Sequence, residues 1–410
     1  MRENLRPSLI PVFILLALAL ITSCTREEEE RQYSYFVSKE LVISYNKKYI
    51  GGILNTAASY YPEVSDLKEY VTSDVDVYKV VYKTTVGGRE INASGLVCVP
   101  STANSYPVLC FQNGTNTKND RAPSEFASNT GYQMIEFIAS MGFIVVMPDY
   151  PGFGESVQIP HPYLITEPTV RSSIDMLFAV RELRNNELPG ISQTGDYYLT
   201  GYSQGGWATL ALHKAMETDF AGEFNLVGSA CGAGPYDLEI LLEGMTEEET
   251  YPMPVYITYI VNAYSAYEQF SNPVTDILNE PYASKLPSLF TGNLDSDQIN
   301  SELTTSIADL VSAGFLTGYS TDSKYSGVRA AFSRNSITGW KTEKPLYLLH
   351  GGNDTHVIPV VTENLYEEMM QAGTSPLICS KEIIPGVDHA EGAVPCMVKG
   401  LFFILGLKGD

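Results

Sequence analysis

Basic residues are scarce in this 410-residue chain. Lys and Arg number 26 against 48 Asp and Glu, a formal net charge of −22. No basic run of any length occurs, which argues against a nucleic-acid partner, because phosphate binding needs clustered Lys and Arg. The acidity speaks mainly of solubility. Cysteine is sparse too: Cys24, Cys98, Cys110, Cys231, Cys379 and Cys396 are all there is. Cys98 and Cys110 fall on neighbouring predicted strands, and Cys379 and Cys396 near the C-terminus, so one disulfide has room. The spacing is not that of a disulfide framework, and most of these thiols are expected as small buried hydrophobes. No Cys/His spacing suits zinc, and no metal or other cofactor is expected. There is no propeller-like repeat. Charged residues make up only 18% of the chain and apolar ones 44%. A sizeable core can therefore be buried, in one large α/β domain with an insertion or in two domains.

The first residues stand apart. Arg2 and Arg6 precede an apolar run over 9–21, too short and wrongly flanked for a stable membrane span. The run ends in Ile21-Thr22-Ser23-Cys24, which resembles the lipobox of bacterial lipoproteins, whose cysteine is acylated and becomes the new N-terminus. Residues 1–23 are then a signal peptide. Thr25-Arg26-Glu27-Glu28-Glu29-Glu30 follows and reads as a solvated tether. An acidic run behind such a cysteine also resembles the surface-export signals of lipoproteins in Bacteroidota-type bacteria. The expected location is the outer membrane, held by the lipid on Cys24 and facing the periplasm or the cell surface.

What the chain does have is concentrated around Gly201-Tyr202-Ser203-Gln204-Gly205-Gly206. Residues 196–200 are aromatic and β-branched and read as a strand, and residues 207–216 are rich in helix formers. Strand, tight turn and helix are the context that turns G-x-S-x-G into a nucleophile elbow. Such a turn strains the serine backbone, and only small residues at 201 and 205 let the flanking segments pass. Ser203 Oγ then stands at a helix N-terminus, where the N–H of Gln204 can face a developing oxyanion. A structural serine in a Gly-rich turn has the same pentapeptide. The discriminating question is whether an acid and then a histidine follow.

Residues 31–72 carry Tyr, Leu and Ile at near-helical spacing and read as one or two helices. Residues 75–85 alternate as a strand, Gly87-Gly88 makes a hairpin turn, and 91–100 return as a second strand. Residues 107–111 are nearly all apolar, an interior strand. That strand runs into Gln112-Asn113-Gly114-Thr115, a loop placed to supply a second backbone oxyanion donor, Thr115 or else Asn116; an Asn-Gly turn is the plainer reading. A helix is expected over 125–141, a strand over 143–147, and a helix over 168–185 with Arg171, Asp175, Arg181 and Glu182 as polar face and packing contacts. After the elbow helix comes a strand over 224–231. This alternation means a parallel sheet covered by helices. From 233 to 342 it breaks into helical fragments, an inserted cap or lid. Its Tyr256, Tyr259, Tyr264, Tyr267, Phe270 and Phe290 either line a pocket or form the cap's own core. The sheet resumes over 345–350, with a helix over 362–372, a strand over 377–385, a loop over 386–390 and a closing helix over 393–407.

The missing partners appear in order. Asp354 sits in a loop after one buried strand and His389 in a loop after the next, at the same carboxyl edge as Ser203. Ser, then Asp, then His is the order of the α/β-hydrolase triad: nucleophile, acid, base. Asp149 precedes the nucleophile and reads as a structural carboxylate. His213 lies on a helix away from the elbow, His350 is placed to hold the acid loop, His356 comes too early for the order, and His161 lies on the substrate edge with a structural role favoured.

These motifs, with Pro148-Asp149-Tyr150, Gly152-Phe153-Gly154 and His161-Pro162-Tyr163-Leu164, resemble α/β-hydrolase fold serine esterases, and within them the secretory lipase branch. The resemblance covers roughly residues 70–408. It implies a mostly parallel sheet flanked by helices, an inserted helical lid, and an esterase or lipase acting through Ser203, His389 and Asp354. In the yeast type enzyme of that branch the oxyanion loop carries an acidic side chain. The corresponding stretch here is Gly114-Thr115-Asn116, so only backbone donors, from Gln204 and Thr115, carry over. The expected division is 1–23 signal, 24–72 tether and helical segment, 73–232 first core part, 233–342 cap, and 343–410 second core part. Substrates are small-molecule, lipid or glycan esters, with the many tyrosines tipping the balance slightly toward short acyl groups. Two other readings stay open: peptide hydrolysis or acyl transfer on the same triad, and a non-catalytic surface lipoprotein binding glycan or lipid.

Overall fold

Nine strands, β1 (Phe36–Tyr45), β2 (Val75–Val86), β3 (Arg89–Pro100), β4 (Asn104–Gln112), β5 (Ile144–Pro148), β6 (Ile191–Tyr202), β7 (Asn225–Gly232), β8 (Leu346–Gly351) and β9 (Cys379–Ile384), join into one sheet ordered β1-β2-β3-β5-β4-β6-β7-β8-β9. The computed structural model describes residues 33–188 and 190–409. The expected signal peptide, Cys24 and the acidic tether lie outside them. Strands β5, β4, β6, β7, β8 and β9 run parallel, so their carboxyl ends share one edge. Strands β1, β2 and β3 join antiparallel to one another, and β3 to β5. The β2–β3 turn is the expected hairpin. Gly87 and Gly88 have φ of 56° and 75°, the left-handed pair that matches strand twist, with Val86 opposite Arg89.

The N-terminal expectation needs correcting. Residues 36–45 are an edge strand, not a helix. Two register shifts along β1, between Phe36 and Ser38 and between Leu41 and Ile43, break the period-two alternation that would have marked a strand. Val37, Leu41 and Val42 stay exposed at 41%, 53% and 43%, so burial offers no pattern either. The helix comes only afterwards, as α1 (Lys47–Ala57), where the Asn46 side chain accepts the N–H of Tyr49. A 3₁₀ segment, Pro62–Tyr70, follows.

The helix expected over 125–141 is also shorter. It runs as α2 (Thr130–Glu136), started by the Asn129 side chain on the N–H of Gly131, and tightens into 3₁₀ over Phe137–Met141. Helix α3 (Thr166–Glu187) carries the expected polar set: Arg171 pairs with Asp175 at 2.9 Å, and Glu182 accepts the N–H groups of Tyr35 and Phe36. Helix α4 (Gln204–Glu217) packs on β6 and β7.

Between β7 and β8 lie seven helices: α5 (Leu238–Thr246), α6 (Pro254–Ala266), α7 (Tyr282–Leu289), α8 (Ser296–Ser301), α9 (Ile307–Leu310), α10 (Ala313–Gly318) and α11 (Ser326–Asn335). The chain re-enters the sheet through a buried network. His213 contacts Ser229 Oγ, Thr342 Oγ1 and Glu217, and Glu217 also accepts the Trp340 indole N–H and the N–H of Glu343. After α12 (Val360–Gln371) and β9, the last helix is α13 (His389–Lys408). It starts four residues earlier than expected. Asp388 caps it by accepting the N–H of Glu391, and Pro395 sits inside rather than in the first turn. Though α13 is long and apolar enough to cross a membrane, it packs on β6, β7 and β8, with Leu401, Ile404 and Leu405 buried in the core.

One core position is chemically costly. Glu136 is buried, and neither carboxylate oxygen has a hydrogen-bond partner among the described residues. Burial pushes it up to about 8, opposed by the Tyr45 hydroxyl beside it. The folded protein keeps a proton that the unfolded chain releases near pH ~4.3. Stability from this group is therefore present at acid pH and lost as pH rises to about 8. Glu136→Gln is expected to flatten that slope, making the protein more stable than wild type at pH 8.5 by a few kcal/mol, on the order set by linkage. Urea unfolding at pH 5 and 8.5 checks it; an unchanged slope would refute it.

Candidate active site

The elbow depends on three backbones meeting. Gln112 at the end of β4 pairs with Gly201 in β6. A Cβ on Gly201 would lie 2.6 Å from Gln112 O, and one on Gly205 would overlap that oxygen and sit 2.8 Å from Asn113 O. Glycine is therefore required at both positions, as the pentapeptide implied. Between them Ser203 has φ 59° and ψ −124°, a strained non-glycine geometry of the kind that costs about 1–3 kcal/mol. The Ser203 N–H bonds Gly232 O at 2.9 Å, and Trp207 N–H starts the helix on Ser203 O.

Asp354 and His389 arrive at this point from the ends of β8 and β9. His389 Nδ1–H donates to Asp354 Oδ2 at 2.5 Å, and the Ser203 hydroxyl lies 2.9 Å from His389 Nε2. His389 is the first residue of α13 rather than part of a loop. Its carbonyl accepts the Tyr202 hydroxyl at 2.7 Å, so the residue before the serine also holds the histidine backbone. Sequence reasoning passed over Tyr202, because nothing but its place in the elbow marks it.

The acid loop is tightly held. Asp354 Oδ1 accepts the N–H groups of His356 and Val357, each at 2.9 Å. His350 Nε2–H is shared between Val357 O at 2.8 Å and Asp354 Oδ2 at 3.3 Å, and Thr362 Oγ1 meets its Nδ1 at 2.7 Å. Burial alone would raise Asp354, but the hydrogen bonds from His350, His389 and Val357 outweigh it and hold the carboxyl well below the usual carboxylate range. His356 ends with its ring 5.3 Å from that of His389 and 6.0 Å from Tyr256.

The loop after β4 is anchored on all sides. Asn113 Nδ2 donates to Pro148 O, and the Tyr150 hydroxyl to Asn113 O. Thr115 Oγ1 lies 2.9 Å from the Tyr163 hydroxyl, and Asn116 O accepts the Tyr259 hydroxyl at 3.1 Å. Asp149 is the structural carboxylate of the neighbouring turn, accepting from Ser94, the Ser124 hydroxyl and the Ser124 N–H. His161 is buried rather than at an open edge. Its Nδ1–H donates to Pro151 O at 2.8 Å, and Nε2 faces the Gln204 side-chain amide at 2.8 Å. Burial pushes its pKa down to about 4.

The cap aromatics divide. Tyr259 stacks on Tyr163 at 4.4 Å and on Phe290 at 4.6 Å, and Tyr256 approaches His356, so these rings stand beside the loops that carry Thr115 and Asp354. Tyr264 packs on Phe270 and Phe332 within the cap and bonds Leu164 O. Tyr267 ties the cap to Pro160 O. Cys98, Cys110, Cys231, Cys379 and Cys396 are all free and buried. Among the described residues no cluster of three or more His, Cys, Asp or Glu is arranged to hold a metal.

Sheet order, elbow and hydrogen-bonded Ser–His–Asp line together define an α/β-hydrolase fold. The secretory lipase family model matches residues 122–386, more than half of the chain, and the chain belongs to that family, which makes it a carboxylic-ester hydrolase. Among solved structures, a candidate hydrolase from Legionella pneumophila is 25% identical with a TM-score of 0.81, over 92% of this chain and 99% of that one. The rice cell wall degrading esterase LipA from Xanthomonas oryzae, in a ligand-bound form, is 22% identical with a TM-score of 0.77, over 91% and 97%. Candida antarctica lipase A in its closed state is 17% identical with a TM-score of 0.66, over 90% and 80%. No curated protein matches the chain in sequence.

Gly205→Ala is expected to lower Tm by several degrees, since overpacking against backbone costs about 1–3 kcal/mol or more. Gly51→Ala, in α1 with nothing within 4 Å of its would-be Cβ, should leave Tm unchanged or raise it by the helix propensity gained. Equal effects of the two in a thermal melt would contradict the close-approach account.

Proposed function

We propose that the protein cleaves carboxylic esters through an acyl-enzyme on Ser203, with His389 as base and Asp354 as acid. The carrying observation is the unbroken line from Ser203 Oγ to His389 Nε2 and from His389 Nδ1 to Asp354. Ser203 Oγ attacks the acyl carbon while its proton passes to His389 Nε2. The leaving alcohol takes that proton, and water repeats the sequence to release the acid. Asp354, ionised throughout, fixes the imidazole with Nδ1 protonated and offsets the imidazolium charge. The oxyanion is received by the N–H groups of Gln204 and Thr115. In support, neither N–H meets an acceptor among the described residues, and Gln204 opens a fourteen-residue helix whose N-terminal partial charge favours an anion.

The acyl group is short. Tyr163, Tyr256 and Tyr259 stand around Thr115 and His356, which favours a compact, partly polar cleft over a long apolar tunnel. The helices over 238–335 act as the cap over it. The chain works as a lipoprotein anchored through Cys24 in a bacterial outer membrane, facing the periplasm or the cell surface.

Ser203→Ala is expected to lower kcat by roughly 10⁶-fold and Asp354→Asn by roughly 10⁴-fold, the scales on which nucleophile and acid act in such a triad. p-Nitrophenyl esters of increasing chain length should be cleaved fastest at two to four carbons, on the order a compact cleft admits. Full turnover by Ser203→Ala would sink the nucleophile assignment, and an optimum at long chains would sink the short-acyl one.

A further inference from the structure

The segment His161-Pro162-Tyr163 reaches the side chains of both proposed oxyanion donors. His161 holds one of them. Its Nδ1 faces a carbonyl, Pro151 O, which only accepts, so Nδ1 carries the proton and Nε2 is left as an acceptor. The Gln204 amide donates to that lone pair at 2.8 Å. Both side chains are buried, at 5% and 1% exposure, and the His161 ring is boxed by Tyr150, Phe153, Tyr163 and Tyr259 at 4.9–6.1 Å. Gly152, at φ +95°, leaves room for nothing larger, because a Cβ there would lie 2.6 Å from His161 N. The imidazole therefore cannot turn away, and the Gln204 side chain cannot swing without leaving it.

Two residues later, Tyr163 holds the other donor. Its hydroxyl meets Thr115 Oγ1 at 2.9 Å, while its ring lies nearly parallel to Tyr259, at 9°. Tyr259 in turn donates to Asn116 O. The residue that supplies each N–H is thus pinned through its side chain, and both pins come from one tripeptide.

We propose that His161 and Tyr163 are positioning residues that set the spacing of the two oxyanion donors, His161 through the Gln204 side chain and Tyr163 through the Thr115 hydroxyl. This rests on the acyl-enzyme reading of the site. Each acts through another side chain. They act by holding the Gln204 and Thr115 backbones where the oxyanion forms, so their loss falls on the transition state more than on substrate binding.

The test compares His161→Phe, His161→Gln and Tyr163→Phe with wild type on p-nitrophenyl acetate and against a trifluoromethyl ketone, which forms a tetrahedral oxyanion on the serine. His161→Phe and Tyr163→Phe should lower kcat roughly 10- to 100-fold, part of the effect of deleting a donor outright, with KM within about threefold. Ketone affinity should weaken in parallel with kcat/KM. His161→Gln, whose amide oxygen can still accept from Gln204, should recover most of the kcat lost in His161→Phe. Tyr163→Phe keeps the ring stack, so it tests the hydroxyl even if His161→Phe fails to fold. Retention of kcat within twofold by Tyr163→Phe, or loss of kcat with unchanged ketone affinity, would overturn the proposal. Failure of the underlying reading looks different: Ser203→Ala would then keep its turnover and wild type would not bind the ketone.

Discussion

Everything at this site depends on how closely three stretches of backbone approach one another. The ends of β4 and β6 and the start of α4 meet where Gln112 O faces Gly201 and Gly205. Gly206 is packed on the same terms against Gly232, at the end of β7. That crossing forces Ser203 into a strained conformation at positive φ and brings the loop after β4 beside the helix N-terminus. The strain is sustained because the surrounding parallel strands are registered on both sides of β6, so the turn has no room to relax. Ser203 and the proposed oxyanion donors are consequently features of one packing event.

Around that crossing, buried histidines act as braces as well as chemistry. His161, His213 and His350 each engage both ring nitrogens. A flat ring with two polar atoms on opposite sides can join two chain segments at fixed distance without leaving a buried donor or acceptor unpaired. His350 stiffens the acid loop, His213 pins the chain where it returns from the cap, and His161 ties the turn at Pro151 to Gln204. His389 has the same two-sided bonding but differs in what lies beyond Nε2. There a hydroxyl with its own strained backbone takes the place of a structural partner.

Much of this was legible in the residues and some was not, for reasons particular to each place. The elbow could be read because its glycines, its flanking strand and its helix formers all speak of one steep turn. Asp354 and His389 could be read because strand ends in a parallel sheet share an edge. The strand β1 could not be, since its pairing is by backbone at a sheet edge, its bulges break alternation, and its apolar side chains stay outside. Helix α13 begins four residues before the expected 393: Pro395 resembles a first-turn residue, whereas the cap is Asp388. Tyr202 and Tyr163 stand in motifs but the sequence assigns them no role, because each hydroxyl reaches a chain segment distant in sequence, 187 residues away for Tyr202. No local pattern carries such a contact.

The cap is coupled to the chemistry more directly than a simple cover would be. Tyr259 on α6 donates to Asn116 O and stacks on Tyr163. Thr117 Oγ1 donates to Leu294 O, and Asn119 N–H to Gly292 O. The loop after β4, proposed to supply an oxyanion donor, is therefore stretched between the core, through Tyr163, and the helical insertion, through α6 and residues 292–294. A displacement of α6 large enough to open the site would remove the carbonyl contact at Asn116, one residue from the proposed donor Thr115. Opening for entry and competence for chemistry would then exclude one another, because the same aromatic stack that narrows the cleft also fixes the loop. A small ester that enters without moving α6 avoids that conflict, which adds to the tyrosine lining as an argument for the short acyl group proposed above.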